Sequence, residues 1–118
     1  MANDKDFLLK NAVEVGGPTK VTLGSITSSD IDLATGNYFA DTLAANTTYT
    51  LSNAGGVKSF QLEVTGASTY TITWPSSIEW AGGVAPSAPA TGETDVFTLS
   101  TDDGGTSYVG VKTADNLS

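Results

Sequence analysis

The chain has 118 residues, with 5 lysines and no arginine against 13 acidic side chains, for a formal net charge of −8 at pH 7. It contains no Cys and no His. These counts exclude a thiol nucleophile, a thiolate or imidazole zinc site and a Ser-His-Asp triad, and the acidic balance opposes binding to nucleic acid or to an anionic membrane.

A chain of this length suits one domain and buries about two-thirds of the surface its unfolded form exposes. It needs neither metal nor disulfide to fold, and no cofactor is expected. The start is acidic, and Phe7-Leu8-Leu9 is too short for a signal-peptide core, so no targeting segment is expected. No stretch approaches the length of a membrane span.

Residues 1–24 read as an N-terminal arm or a first strand, and residues 25–118 as a β-sandwich domain. Phe7-Leu8-Leu9 and Val13-Glu14-Val15-Gly16-Gly17-Pro18 supply the apolar content of the arm; such a segment either docks on a neighbour or frays. Short strands are expected near Val21-Thr22-Leu23 and Ile31-Asp32-Leu33. Asn37–Leu43 places Phe39 and Leu43 on one face against Tyr38 and Ala40, and Thr47–Leu51 places Tyr49 and Leu51 together. Asn53-Ala54-Gly55-Gly56 then supplies residues that tolerate positive φ.

The plainest strand is Lys58–Val64, where Phe60, Leu62 and Val64 alternate with Gln61 and Glu63. In Thr69–Trp74 the trio Tyr70, Ile72 and Trp74 faces away from a row of β-branched threonines. Pro75 ends that strand. Ala81–Thr91 reads as a long surface loop. Thr94–Thr101 carries Phe97 and Leu99 opposite Val96, and Thr106–Thr113 carries Val109 and Val111. Between them Asp102-Asp103-Gly104-Gly105 is the cleanest hairpin signal in the chain. No window keeps an apolar helical period for two turns. The expectation is an all-β, single-domain antiparallel β-sandwich, of jelly-roll or immunoglobulin-like type.

The residues that could carry chemistry are few. Asp30 and Asp32 share a face on a strand, a spacing open to acid/base work or calcium ligation, though a polar turn entering a strand explains them. Asp102-Asp103-Gly104-Gly105 lacks the alternating acidic spacing and terminal Glu of a calcium loop, and turn chemistry suffices. Trp74, in phase with Tyr70 and Ile72, is expected in the core. Trp80, beside a glycine-rich loop, stands between a core role, a protein anchor and a platform for a sugar ring. There is no nucleophile elbow, P-loop or dinucleotide glycine pattern, and no enzymatic activity is expected.

The run Asp32-Leu33-Ala34-Thr35-Gly36-Asn37-Tyr38-Phe39, followed by Asn46–Asn53, Ser59–Val64 and Ile72-Thr73-Trp74-Pro75, resembles a domain of tailed-bacteriophage virion proteins. The likeness continues through Trp80-Ala81-Gly82-Gly83, Pro86, Gly92, Thr94-Asp95-Val96 and Thr101–Thr106, spanning roughly residues 30 to 112. Such domains occur in fibre, appendage and capsid-associated proteins of marine and cyanobacterial phages. The resemblance implies a virion structural role without catalytic residues. A capsid decoration (cement) subunit is the expectation, placed on the capsid surface and bound to the major capsid protein and to itself as a homotrimer. A tail fibre or appendage accessory subunit and a carbohydrate-binding adhesin are the alternatives. No nucleic acid, membrane or cofactor is expected as a partner; glycan binding has Trp80 alone behind it. Phe7, Leu8 and Leu9 on the arm, with Trp80 and Val84 at the loop, are the expected interface residues.

Overall fold

A computed structural model describes residues 21–118, and the chain folds as a single-domain, all-β sandwich. Ten strands occur in this range: β1 (Ser25–Thr27), β2 (Asp30–Asp32), β3 (Tyr38–Thr42), β4 (Thr47–Thr48), β5 (Thr50–Ser52), β6 (Lys58–Thr65), β7 (Ile72–Thr73), β8 (Ile78–Trp80), β9 (Thr94–Thr101) and β10 (Tyr108–Leu117). The longest sheet has the order β3-β6-β9-β10-β8; smaller sheets are β1-β2-β5 and β4-β7. One 3-10 turn, Ala81–Gly83, follows β8.

Pairing is mixed, where a purely antiparallel sandwich was expected. β6–β9, β9–β10 and β1–β2 are antiparallel. β2–β5, β3–β6, β4–β7 and β8–β10 are parallel. Three of the parallel pairs have one cause. The chain makes a turn through β2, β3 and β4, then a second through β5, β6 and β7, and lays each strand beside its counterpart. Asp30 lies by Thr50, Tyr38 by Gln61 and Thr47 by Ile72. A parallel neighbour needs a long crossover, and each crossover here is the remainder of a turn. The Asn53–Gly56 turn therefore carries the chain from one sheet to another, whereas Asp102–Gly105 does join an antiparallel hairpin, β9–β10.

The core follows from two alternations that face each other. Phe60, Leu62 and Val64 of β6 are buried, and so are Asp95, Phe97, Leu99 and Thr101 of β9. Phe60 stands directly across from Leu99, and Leu62 from Phe97. Ile31, Leu33, Phe39, Leu43, Tyr49, Ile78 and Tyr108 close the interior from the other strands and the residues that adjoin them. Phe60 meets Phe39 and Tyr108 edge to face, with centroids 6.0 and 6.2 Å apart. Each such side chain contributes roughly 1.5–3 kcal/mol through burial, so this interior dominates stability.

Thr69–Trp74 keeps the expected alternation but forms a ladder only over Ile72–Thr73, because its one neighbour, β4, has two paired residues. Val21–Leu23 is exposed and reaches the sheet through a single bridge, Leu23 to Tyr38. β1 and β8 were not expected as strands.

Candidate functional site

Two surfaces stand out, an aromatic groove beside β7 and β8 and the outer face of the five-stranded sheet. The groove begins with Trp74, set at the end of β7 by Pro75. Its Nε1 donates to the Pro86 carbonyl at 2.8 Å, which ties the 84–87 segment to the sandwich. The ring lies against Tyr49 at 5.6 Å and Phe97 at 4.9 Å between centroids. Trp80 ends β8, where Ile78 points inward and Glu79 outward. Its ring meets Trp74 at 4.9 Å and 60°, so the two indoles form a corner. Trp80 Nε1 is buried with no hydrogen-bond partner.

A groove of about 740 Å³ opens along these rings, with the exposed residues Thr73, Ser76, Glu79 and Ser87 along its margin. Glu79 is the sole charged side chain of its lining. Both tryptophans are half-buried, so Trp74 joins the core as expected while also lining the groove, and Trp80 is at once core edge and groove wall. Val84 is 75% exposed but does not line the groove. Phe7, Leu8 and Leu9 lie outside the described residues.

The acidic pairs are built into turns and strand junctions. Asp30 accepts hydrogen bonds from the Ser52 and Thr50 hydroxyls, each at 2.6 Å, and these hold its carboxyl below the usual range. Asp32 accepts from Ala34 N at 3.1 Å and Asn53 Nδ2 at 2.9 Å. Asp103 organises the β9–β10 hairpin. It accepts from the Ser107 N–H and hydroxyl, from the Thr101 hydroxyl and from Thr106 N, and these bonds lower its pKa to about 2. Among the described residues no three acidic side chains converge as a metal site, and no helix is long and apolar enough to cross a membrane.

Buried Asp95 accepts from Asn116 N at 2.8 Å and faces Lys112 Nζ at 3.5 Å; Lys112 also reaches Asp115 at 3.1 Å. Tyr49 donates to Asp41 at 2.6 Å, and burial together with that bond pushes its phenol well above the usual range.

The outer face of the long sheet carries Gln61, Glu63, Thr98, Ser100, Val109, Val111 and, beside Val109, Glu79. Val109 is 56% and Val111 41% exposed, and Val57, at the entry to β6, is 82% exposed. Sequence reasoning placed both β10 valines on one strand face but did not identify it as the open one. Tyr108 and Gly110 occupy the opposite parity, so apolar character alone does not set the phase of β10. The glycine at 110, which leaves room for Trp80, is the signal that would have set it.

Comparison with known protein families, curated proteins and solved structures finds no match for this chain.

Proposed function

We propose that the chain is a structural subunit of a tailed-bacteriophage virion that acts through protein–protein contacts and not through catalysis. Capsid decoration is the form we favour: a cement subunit on the capsid surface, bound to the major capsid protein and to its own copies as a homotrimer. Many weak contacts repeated over a closed shell sum by avidity.

The observation that carries this reading is the outer sheet face. Val109 and Val111 stand exposed on a hydrogen-bonded sheet beside Thr98 and Ser100, with Val57 close to Ser100 and Val109 around a shallow recess. A rigid surface with an apolar and hydroxyl centre, bordered by Glu63 and Glu79, is what a protein partner covers. The resemblance over residues 30–112 supports the same role. A tail fibre or appendage accessory subunit is the second reading, and the stacked turns β2-β3-β4 and β5-β6-β7 favour it, since repetition of such turns builds elongated particles.

Copy number per purified virion, measured by quantitative mass spectrometry against the major capsid protein, tests both readings. A ratio near one, or one per few capsid subunits, supports decoration, and Val109→Glu with Val111→Glu then prevents binding to expanded heads. A handful of copies per particle favours the fibre reading. Absence from virions overturns the virion role.

A further inference from the structure

We propose that the groove formed by Trp74 and Trp80 is a binding site for a neutral saccharide. The groove adjoins the outer sheet face, since Glu79 and Trp80 also line the recess that holds Val109 and Val111; a sugar titration of the isolated chain reads the groove without any virion partner.

The groove combines two kinds of surface that a pyranose needs. Its floor is aromatic and held in place. Trp74 is anchored by its bond to the Pro86 carbonyl, and Trp80 lies against Gly110 with Phe97 at 5.9 Å. Rigid half-buried rings offer stacking area at low entropic cost. Its margin is polar: the exposed residues Ser76 and Ser87 line it, and Thr73 and Glu79 border it from strand positions that alternate with the two tryptophans. A sugar ring presents an apolar C–H face to an indole and hydroxyls to its surroundings, so it matches floor and margin together. The volume, about 740 Å³, falls within the roughly 300–1,000 Å³ typical of ligand sites.

Charge and shape narrow the class. Glu79 is the one charged side chain lining the groove, and the chain carries a net charge of −8, so acidic sugars are repelled. The carboxylate is a strong acceptor for sugar hydroxyls. The other ligand that aromatic grooves take is a proline-rich peptide, which lies extended across an aromatic-lined groove. Here the two indoles meet at 60° with centroids 4.9 Å apart, a corner that suits a compact ring better than an extended chain.

The two tryptophans are the only ones in the protein and both line the groove, so their emission reports occupancy directly. The experiment titrates the full chain with maltohexaose, cellohexaose, chitohexaose, mannan and galactan. Polygalacturonate and a proline-rich decapeptide serve as competing classes. The expected result is a saturable change in emission with at least one neutral sugar. Glu79→Gln, at an exposed position, retains the wild-type melting curve and weakens binding several-fold, while Trp80→Ala weakens it about tenfold or more, both affinities read by titration calorimetry because Trp80→Ala removes one of the two fluorophores. If Trp80→Ala does not fold, Glu79→Gln and Ser76→Ala decide the matter. No response to any neutral sugar overturns the proposal. So does a response confined to polygalacturonate or the peptide, or one unchanged by the groove substitutions.

Discussion

Gly110 stands directly opposite Trp80 across the parallel β8–β10 pair, and the space its side chain lacks is filled by the indole. A Cβ at position 110 would lie 2.8 Å from Cζ3 and 3.0 Å from Cε3 of Trp80. Glycine within a strand weakens it, and here the exchange is a ring that closes the end of the core against Trp74 and Phe97. Trp80 cannot keep its position if residue 110 gains a side chain.

Gly110→Ala therefore displaces the ring and destabilises the fold by about 1–3 kcal/mol, the usual range for overpacking. Urea unfolding followed by far-ultraviolet circular dichroism measures the loss, and tryptophan emission shifts in the folded state. An unchanged midpoint with unchanged emission would mean that the indole is not held by this contact.

A second close approach fixes the loop before β9. Gly66 bridges Thr91 in parallel, donates to the Glu93 carbonyl at 2.9 Å and accepts from Gly92 N at 3.0 Å. A Cβ there would collide with the backbone carbonyl oxygens of Pro89 and Ala90, which cannot rotate away as a side chain would. Gly66→Ala is expected to push the segment outward, at a cost of about 1–3 kcal/mol. Because Pro86 holds Trp74 from that same segment, acrylamide quenching of tryptophan rises. Quenching equal to the wild type would show that the segment tolerates the added methyl.

The buried Asp95 depends on Lys112 more than on solvent. Its side chain is 1% exposed, one oxygen accepts from Asn116 N, and the other faces Lys112 Nζ. Lys112→Met leaves that oxygen without its cation and is expected to cost about 1–3 kcal/mol, as for a buried polar group stripped of its partner. The double variant Lys112→Met with Asp95→Asn recovers part of the loss, because the uncompensated charge is gone. Thermal melts of both variants check this; additive losses would show the two side chains to be uncoupled.

Asp103 contributes to acid stability. Its carboxyl is held at about 2 against an ordinary value of 3.8 by hydrogen bonds that only the ionised form accepts fully. A depressed folded-state pKa contributes stability that is present above the ordinary value and lost as pH falls through the folded value. The Asp103 contribution therefore fades between about pH 4 and pH 2. Asp103→Asn flattens the acid limb of stability against pH in that window, which chemical denaturation at stepped pH measures. An equally steep limb in the variant would assign the acid loss elsewhere, with Asp30, also held below its ordinary value, the next carboxylate to test.

Local features were legible where the physics is local. Strand alternation follows from backbone geometry, and Phe60, Leu62 and Val64, like Phe97 and Leu99, were grouped on one strand face on that ground alone; the structure buries each of these two faces. The hairpin at Asp102–Gly105 was legible because Asp103 forms its bonds within four residues. β1 and β8 were not, being three residues each and too short for a period to show. The groove was half legible: Trp80 was singled out, but Trp74 was read only as core, and Pro86 entered through a carbonyl that no side-chain pattern reveals.

The sequence by itself determined an acidic, all-β chain without thiol or imidazole chemistry, together with the faces its longest strands bury. The tertiary structure decided which strands lie side by side. Tyr38 pairs with Gln61 and Thr47 with Ile72 because successive turns of the chain stack, and no residue type encodes that register. It also brought Trp74, Trp80, Gly110 and Pro86 together from four separate segments. Alternation is a property of one strand's geometry, whereas neighbours are chosen by the burial of all the strands at once.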